Sequence, residues 1–209
     1  MSTIVLATRN TKKVPELRAV LAEQGRTVEI RTLAEYPDAP EVVETEPTFA
    51  GNARLKARAV AVHTGLPAVA DDSGLCVDEL NGMPGVLSAR WSGQLGAATG
   101  DIDDANLRLV LDQMADVPGE RRGARFVAVI AVAIPQEGSA DPAEHVVDGT
   151  LEGQLLTEPR GANGFGYDPI FVPAGENRTT AELSATEKNA ISHRGIALRR
   201  LSKRLSEVL

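Results

Sequence analysis

Residues 124–134 read Ala124-Arg125-Phe126-Val127-Ala128-Val129-Ile130-Ala131-Val132-Ala133-Ile134, ARFVAVIAVAI. β-Branched and apolar residues follow one another almost without a break, the strongest strand signal in the chain. Residues 145–157 are expected to pair with it. Outward from there, residues 3–8 (TIVLAT) read as a buried strand and residues 27–33 (TVEIRTL) alternate as a strand should. Between them, helical spacing runs over 14–24, with Pro15 in a first turn where its missing N–H costs little. Residues 48–64 predict a helix stopped by Gly65, and 101–115 a helix capped by Asp101. Ser184-Ala185-Thr186-Glu187 fits a capping box that opens a short helix, and a last helix starts near Ser192. Two short strands, 68–70 and 75–80, are expected on either side of Asp71-Asp72, and 81–85 is a turn cluster. Strands and helices alternate through the first half, which predicts an α/β protein with a central, largely mixed sheet. The Pro- and Glu-rich segment 34–47 is a long loop, and such loops are usually functional or mobile.

The 209 residues are 43% hydrophobic, enough for one sizeable core and one domain with two lobes. Only 3% are aromatic, so the core must be built from Ala, Val, Leu and Ile. A net charge of −7 argues against a long nucleic-acid polymer as partner, though not against a local basic pocket for a small polyanion. The single Cys76 permits no internal disulfide, and one Cys with three His gives no common zinc spacing. Ile4–Ala7 is too short for the apolar region of a signal peptide, and no apolar stretch is long enough to span a bilayer. The expectation is a soluble cytoplasmic protein without a membrane partner.

Several short segments carry chemistry. Thr8-Arg9-Asn10-Thr11-Lys12-Lys13 joins a strand to a helix, where N–H groups and the positive helix end suit an anion; an ordinary polar loop is the plainer reading. Asn52 and Lys56 stand four apart and share a helix face. Asp71-Asp72-Ser73-Gly74 offers adjacent carboxylates, which suit Mg²⁺ bound through one or two acids, waters and substrate phosphates. They equally suit the cap of a turn. Glu44 is the candidate third acid, with Glu41 and Glu46 competing. Phe165-Gly166-Tyr167-Asp168-Pro169 places two rings in a Gly-rich loop, as a stacking platform for a base or as plugs for the edge of the core. Of the two, Phe165 is the one expected to plug the core. His193-Arg194 puts cations at a helix start, which favours a bound anion.

Taken in order, these segments resemble the non-canonical purine nucleoside-triphosphate pyrophosphatases, the inosine/xanthosine triphosphate (Ham1-like) family. The carriers are Thr8-x-Asn10-x-x-Lys13, the run Glu44-Thr45-x-x-Thr48-Phe49-x-x-Asn52-Ala53-x-x-Lys56-Ala57, and Ala70-Asp71-Asp72-Ser73-Gly74-Leu75. Pro84-Gly85-Val86-x-Ser88-Ala89-Arg90, Gly164-Phe165-Gly166-Tyr167-Asp168-Pro169 and Glu187-Lys188-Asn189-Ala190-x-Ser192-His193-Arg194 complete the set. Six motifs in register span nearly the whole chain.

The resemblance implies an elongated, two-lobed mixed β-sheet flanked by helices with a central substrate cleft, usually in a homodimer. It implies Mg²⁺-dependent hydrolysis of ITP, dITP or XTP to the monophosphate and pyrophosphate, a cleansing of the nucleotide pool. Carried over by position, Asp72 is the proton acceptor and a metal ligand, with Glu44 its partner and Asp71 in support. Thr8, Asn10, Lys13 and Lys56 hold the triphosphate, and Ser73 contacts substrate. Phe165, Gly166, Tyr167, Asp168, Lys188, His193 and Arg194 hold the base and sugar. The alternatives are a Maf-like pyrophosphatase for modified pyrimidines, a non-hydrolytic nucleotide sensor, and an RNA-binding module using the basic last helix.

Overall fold

The structure, a computed structural model, describes residues 3–8, 13–23, 28–98 and 100–208. Among them six strands form one sheet in the order β2-β1-β3-β4-β5-β6: β1 (Thr3–Leu6), β2 (Glu29–Thr32), β3 (Ala68–Val77), β4 (Gly123–Ile134), β5 (Ala143–Leu155) and β6 (Phe171–Pro173). β1 is parallel to β2 and β3, whereas β5 and β6 are antiparallel, so the sheet is mixed. The helices are α1 (Lys13–Glu23), α2 (Phe49–Thr64), α3 (Gly93–Ala97), α4 (Ile102–Gln113), α5 (Ala185–Ile191) and α6 (His193–Val208). None of the described helices is long and apolar enough to cross a membrane.

The Gly65 stop, the Asp101 cap and the Ser184–Glu187 box anticipated from sequence are in place, and Thr48, expected as the first helical residue, is the cap of α2. Thr48 Oγ1 accepts the Gly51 N–H at the start of α2, and Gly65 ends that helix in the left-handed region at φ 66°. Asp101 accepts the Asp104 N–H ahead of α4, and Ser184 and Glu187 cap α5 reciprocally.

The chain divides into two compact units. The first comprises Met1–Asp72, Ala128–Gly149 and Arg194–Leu209. Within it, alternate strand residues face opposite ways. Ile4, Leu6, Ile30, Val69 and Ile130 meet α1 and α6 through Leu17, Leu21, Leu198 and Leu201. Val5, Ala68, Ala70, Ala131 and Ala133 meet α2 through Ala53, Ala57, Val60 and Ala61. Alanine on both sides of that contact brings the helix backbone close to the sheet.

The second unit comprises Ser73–Val127 and Thr150–His193. Its core packs Leu107 and Val110 of α4, with Met114 at its C-cap, against Leu75, Val77, Phe126, Leu155 and Phe171. Arg122 is buried there and donates to the carbonyls of Met114, Val117, Leu155 and Leu156. Burial lowers its pKa.

One element differs from the sequence expectation. Instead of two short strands around an acidic turn, β3 runs unbroken through Asp71, Asp72, Ser73 and Gly74. Gly74 acts here as a point of close approach and not as a breaker. A Cβ on it would stand 2.3 Å from Ser88 Oγ and 2.5 Å from the Gly85 carbonyl oxygen.

Candidate active site

In the first unit, β3 and α2 bring three of the expected residues into contact. Lys56 Nζ donates to Glu44 Oε1 at 2.9 Å and to Asp72 Oδ1 at 3.0 Å. Asn52, one turn earlier on α2, donates from Nδ2 to Asp72 Oδ2 at 3.3 Å. The Asp72 carboxylate is thus gripped through both oxygens by one face of α2. Burial is the largest cause acting on its pKa, and with neighbouring Glu44 it raises the value against the opposing pull of Lys56 and Asn52. Burial also works against the Lys56 charge, but Asp72 and Glu44 together outweigh it, so the ammonium is retained.

A cavity of about 230 Å³ opens on this cluster, lined among others by Thr8, Glu41, Glu44, Lys56 and Asp71. Of the three loop acids, Glu44 is the one that reaches Lys56, whereas Glu46 turns its backbone N–H to Asn52. Among the described residues no three acidic, His or Cys side chains gather as a metal-binding group. Two carboxylates do converge, on the Lys56 ammonium.

Asp71, which also lines that cavity, meets a different cation. Its Oδ2 lies 3.5 Å from Arg194 Nε at the start of α6, both side chains being largely buried. Asn10 lies outside the described residues, and Lys13 is described only as the first backbone position of α1.

In the second unit, Ser88 fastens the strand just beyond Asp72. The Leu75 N–H donates to Ser88 Oγ at 2.9 Å, and Ser88 Oγ donates to the Gly85 carbonyl at 2.6 Å. Tyr167 Oη in turn donates to the Ser88 carbonyl at 2.8 Å. Tyr167 is 5% exposed, and burial raises its phenol pKa. Phe165 is 55% exposed and lies under Lys188 Nζ, 5.3 Å from the ring centroid. This reverses the sequence expectation: Tyr167 is the ring that plugs the core, and Phe165 stays exposed beside Lys188.

Asp168, 3% exposed, organises that loop. It accepts from the Thr180 hydroxyl at 2.9 Å, from the Phe165 N–H at 2.8 Å, and from Lys188 Nζ. Gly164, at φ 79°, leaves the room: a Cβ there would meet Asp168 Oδ2 at 2.1 Å. The Gly166 N–H donates to Asp103 Oδ2 at 3.2 Å. His193 stacks on Phe126 with centroids 5.0 Å apart and ring planes 15° from parallel.

A model of the Ham1 family matches residues 4–204. The chain belongs to the Ham1 family. A Frankia alni protein named dITP/XTP pyrophosphatase is 57% identical over 206 residues, 99% of this chain and 98% of that one. A Streptomyces avermitilis protein of the same name is 54% identical over 209 residues, covering 100% of both. The structure of a HAM1 protein from Coxiella burnetii matches with a TM-score of 0.87 at 43% identity, covering 99% of this chain and 100% of that one. The six-stranded mixed sheet with flanking helices is therefore the architecture of a Ham1 protein.

Asn52 was paired with Lys56 in the sequence, by their spacing of four on one helix face, but was given no role. Thr180, 12 residues after the Asp168 it braces, carried no signal.

Proposed function

We propose that this chain hydrolyses dITP and XTP, and ITP with them, to the nucleoside monophosphate and pyrophosphate. The observation that carries the reading is the 57% identity to the Frankia alni dITP/XTP pyrophosphatase over 99% of the chain. The convergence of Glu44, Lys56 and Asp72 supports it, because hydrolysis of a polyphosphate needs cationic charge beside a proton acceptor.

Glu44 and Asp72 fit magnesium as a donor set, since that ion takes one or two protein carboxylates and fills its shell with water and phosphate oxygens. Mg²⁺ bound there supplies charge neutralisation at the phosphate oxygens. Asp72 accepts the proton of the attacking water, a role that its burial-raised pKa suits. The water oxygen bonds to phosphorus as the bond between the α- and β-phosphates breaks, and pyrophosphate leaves. Lys56, Lys13, Thr8 and Asn10 carry the triphosphate, and Ser73 contacts it. Asp71 acts in support, from the other side of the strand.

Phe165 stacks on the base, while Gly166, Asp168, Tyr167, Lys188 and His193 shape its loop and hold the sugar. Arg194 offers N–H donors suited to a 6-oxo purine; adenine presents an amino group there, which would leave those donors unmatched. The enzyme is proposed to act in the cytoplasm as a homodimer, removing deaminated purines from the nucleotide pool.

Pyrophosphate release from dITP, XTP, ITP, GTP, ATP, dTTP and UTP, with and without EDTA, tests this. The expected order puts dITP and XTP first and ATP last, with EDTA abolishing release. Faster turnover of dTTP or UTP replaces the substrate assignment with a pyrimidine one, and release that survives EDTA removes the metal from it.

A further inference from the structure

Asn52 is 1% exposed and sits on α2 with both ends of its carboxamide engaged outside that helix. Its Oδ1 accepts the backbone N–H of Glu46 at 2.9 Å, and its Nδ2 donates to Asp72 Oδ2 at 3.3 Å. One partner is loop backbone and the other a strand carboxylate, 20 residues away in sequence. The partners also fix which end is which: an N–H requires the amide oxygen, and a carboxylate requires the amide nitrogen.

Glu46 stands two residues after Glu44 on the same loop. Its approach to α2 depends on Gly51, where a Cβ would lie 2.5 Å from Glu46 Cβ and 2.8 Å from its Cγ. Thr48 Oγ1 accepts the Gly51 N–H, so the loop joins the helix in a fixed geometry. Loop, helix and strand therefore meet at one planar group. Few side chains can do this: Asp has no donor, Ser and Thr are too short to span both partners, and Gln is a carbon longer.

We propose that Asn52 is a positioning residue that sets the Glu44-bearing loop at a fixed distance from Asp72, and orients the Asp72 carboxylate. The proposal rests on the reading of Asp72 as proton acceptor and Glu44 as its partner. A buried asparagine serving only to satisfy its neighbours would leave the chemistry untouched when replaced. A positioning asparagine does not, because displacements of about 1 Å at reacting groups cost about 10²-fold in rate.

Two substitutions and one exchange measurement decide it. Asn52→Ala removes both bonds: kcat for dITP is expected to fall about 10²-fold with KM near the wild-type value, and the Glu46 amide to lose its protection from hydrogen exchange. Asn52→Asp keeps the acceptor for Glu46 and loses the donor to Asp72, so kcat falls while Glu46 stays protected. Thermal melting establishes that each variant is folded. Normal kcat in Asn52→Ala, or a Glu46 amide that exchanges no faster there than in the wild type, overturns the proposal. A wild-type Glu46 amide without protection overturns it with no variant at all. Asp72→Asn separates the two readings: full turnover in that variant removes Asp72 as base, whereas Glu46 exchange in Asn52→Ala reports on the Asn52 tether whatever Asp72 does.

Discussion

Asp71 and Asp72 are chain neighbours on β3 that face opposite sides of the strand. Asp72 meets Lys56 and Asn52 of α2, and Asp71 meets Arg194 of α6. Two adjacent carboxylates are tolerated because each has its own cation on its own side. Their removal should therefore read out differently.

Asp72→Asn keeps the volume and the bond from Lys56 and removes the proton acceptor. kcat for dITP is expected to fall by about 10²- to 10⁴-fold with the thermal midpoint within a few degrees of wild type. Steady-state pyrophosphate release and a melt on the same sample check both halves; a variant with more than a tenth of wild-type kcat would exclude Asp72 as the base.

Asp71→Ala leaves the Arg194 guanidinium in a largely buried position without that carboxylate. Breaking a buried pair costs about 3 kcal/mol, so urea unfolding should show the larger loss of stability of the two variants. A denaturation midpoint equal to that of the wild type would show that the pair does not hold α6 to β3.

Tyr167 and Phe165 should part in the same way. Tyr167→Phe loses one buried hydrogen bond to Ser88, about 1 kcal/mol of stability, and should raise KM for dITP less than loss of the Phe165 ring does. Phe165→Ala removes an exposed ring and should raise KM several-fold while unfolding at the wild-type urea concentration. The reverse pattern would return the stacking role to Tyr167.

Glu187 caps α5, and its bonds with the Ser184 side chain and backbone, then its pairing with Arg178, hold its carboxyl down at about 2, below an ordinary value near 4.5. A depressed folded pKa contributes stability that is complete above the ordinary value and is lost as pH falls towards the folded one. Acid titration of the wild type between pH 4.5 and 2 should show this loss, and Glu187→Gln should flatten it. Identical slopes in the two proteins would contradict the cap.

Much of this was legible in the chain because local chemistry decides it. Asp101 and the Ser184–Glu187 pair announce helix starts by side chains that satisfy backbone groups within three residues, Gly65 announces a helix end by its left-handed backbone, and the structure uses each as read. The continuity of β3 was not legible: Asp-Ser-Gly has the composition of a turn, and only contact with Ser88, 14 residues after Gly74, turns that glycine into a strand residue. Tyr167 and Phe165 were exchanged for a similar reason. Two aromatic residues in one loop look alike until the Ser88 carbonyl claims one hydroxyl. Glu44 was the candidate among the loop acids in the sequence, with Glu41 and Glu46 competing, and its contact with Lys56 is what the chain alone does not display.

The methyl-lined contact of α2 with the sheet has a consequence for how the protein tolerates change. Ala53 and Ala57 each directly follow a residue that holds Asp72, Asn52 before one and Lys56 before the other, and both are fully buried. Adding bulk at either would act as a wedge, lifting the helix and carrying both grips off the acid together. Variants such as Ala57→Val should thus resemble active-site lesions although they touch no reacting atom, so the apolar underside of one helix works as the alignment gauge for the chemistry on its edge.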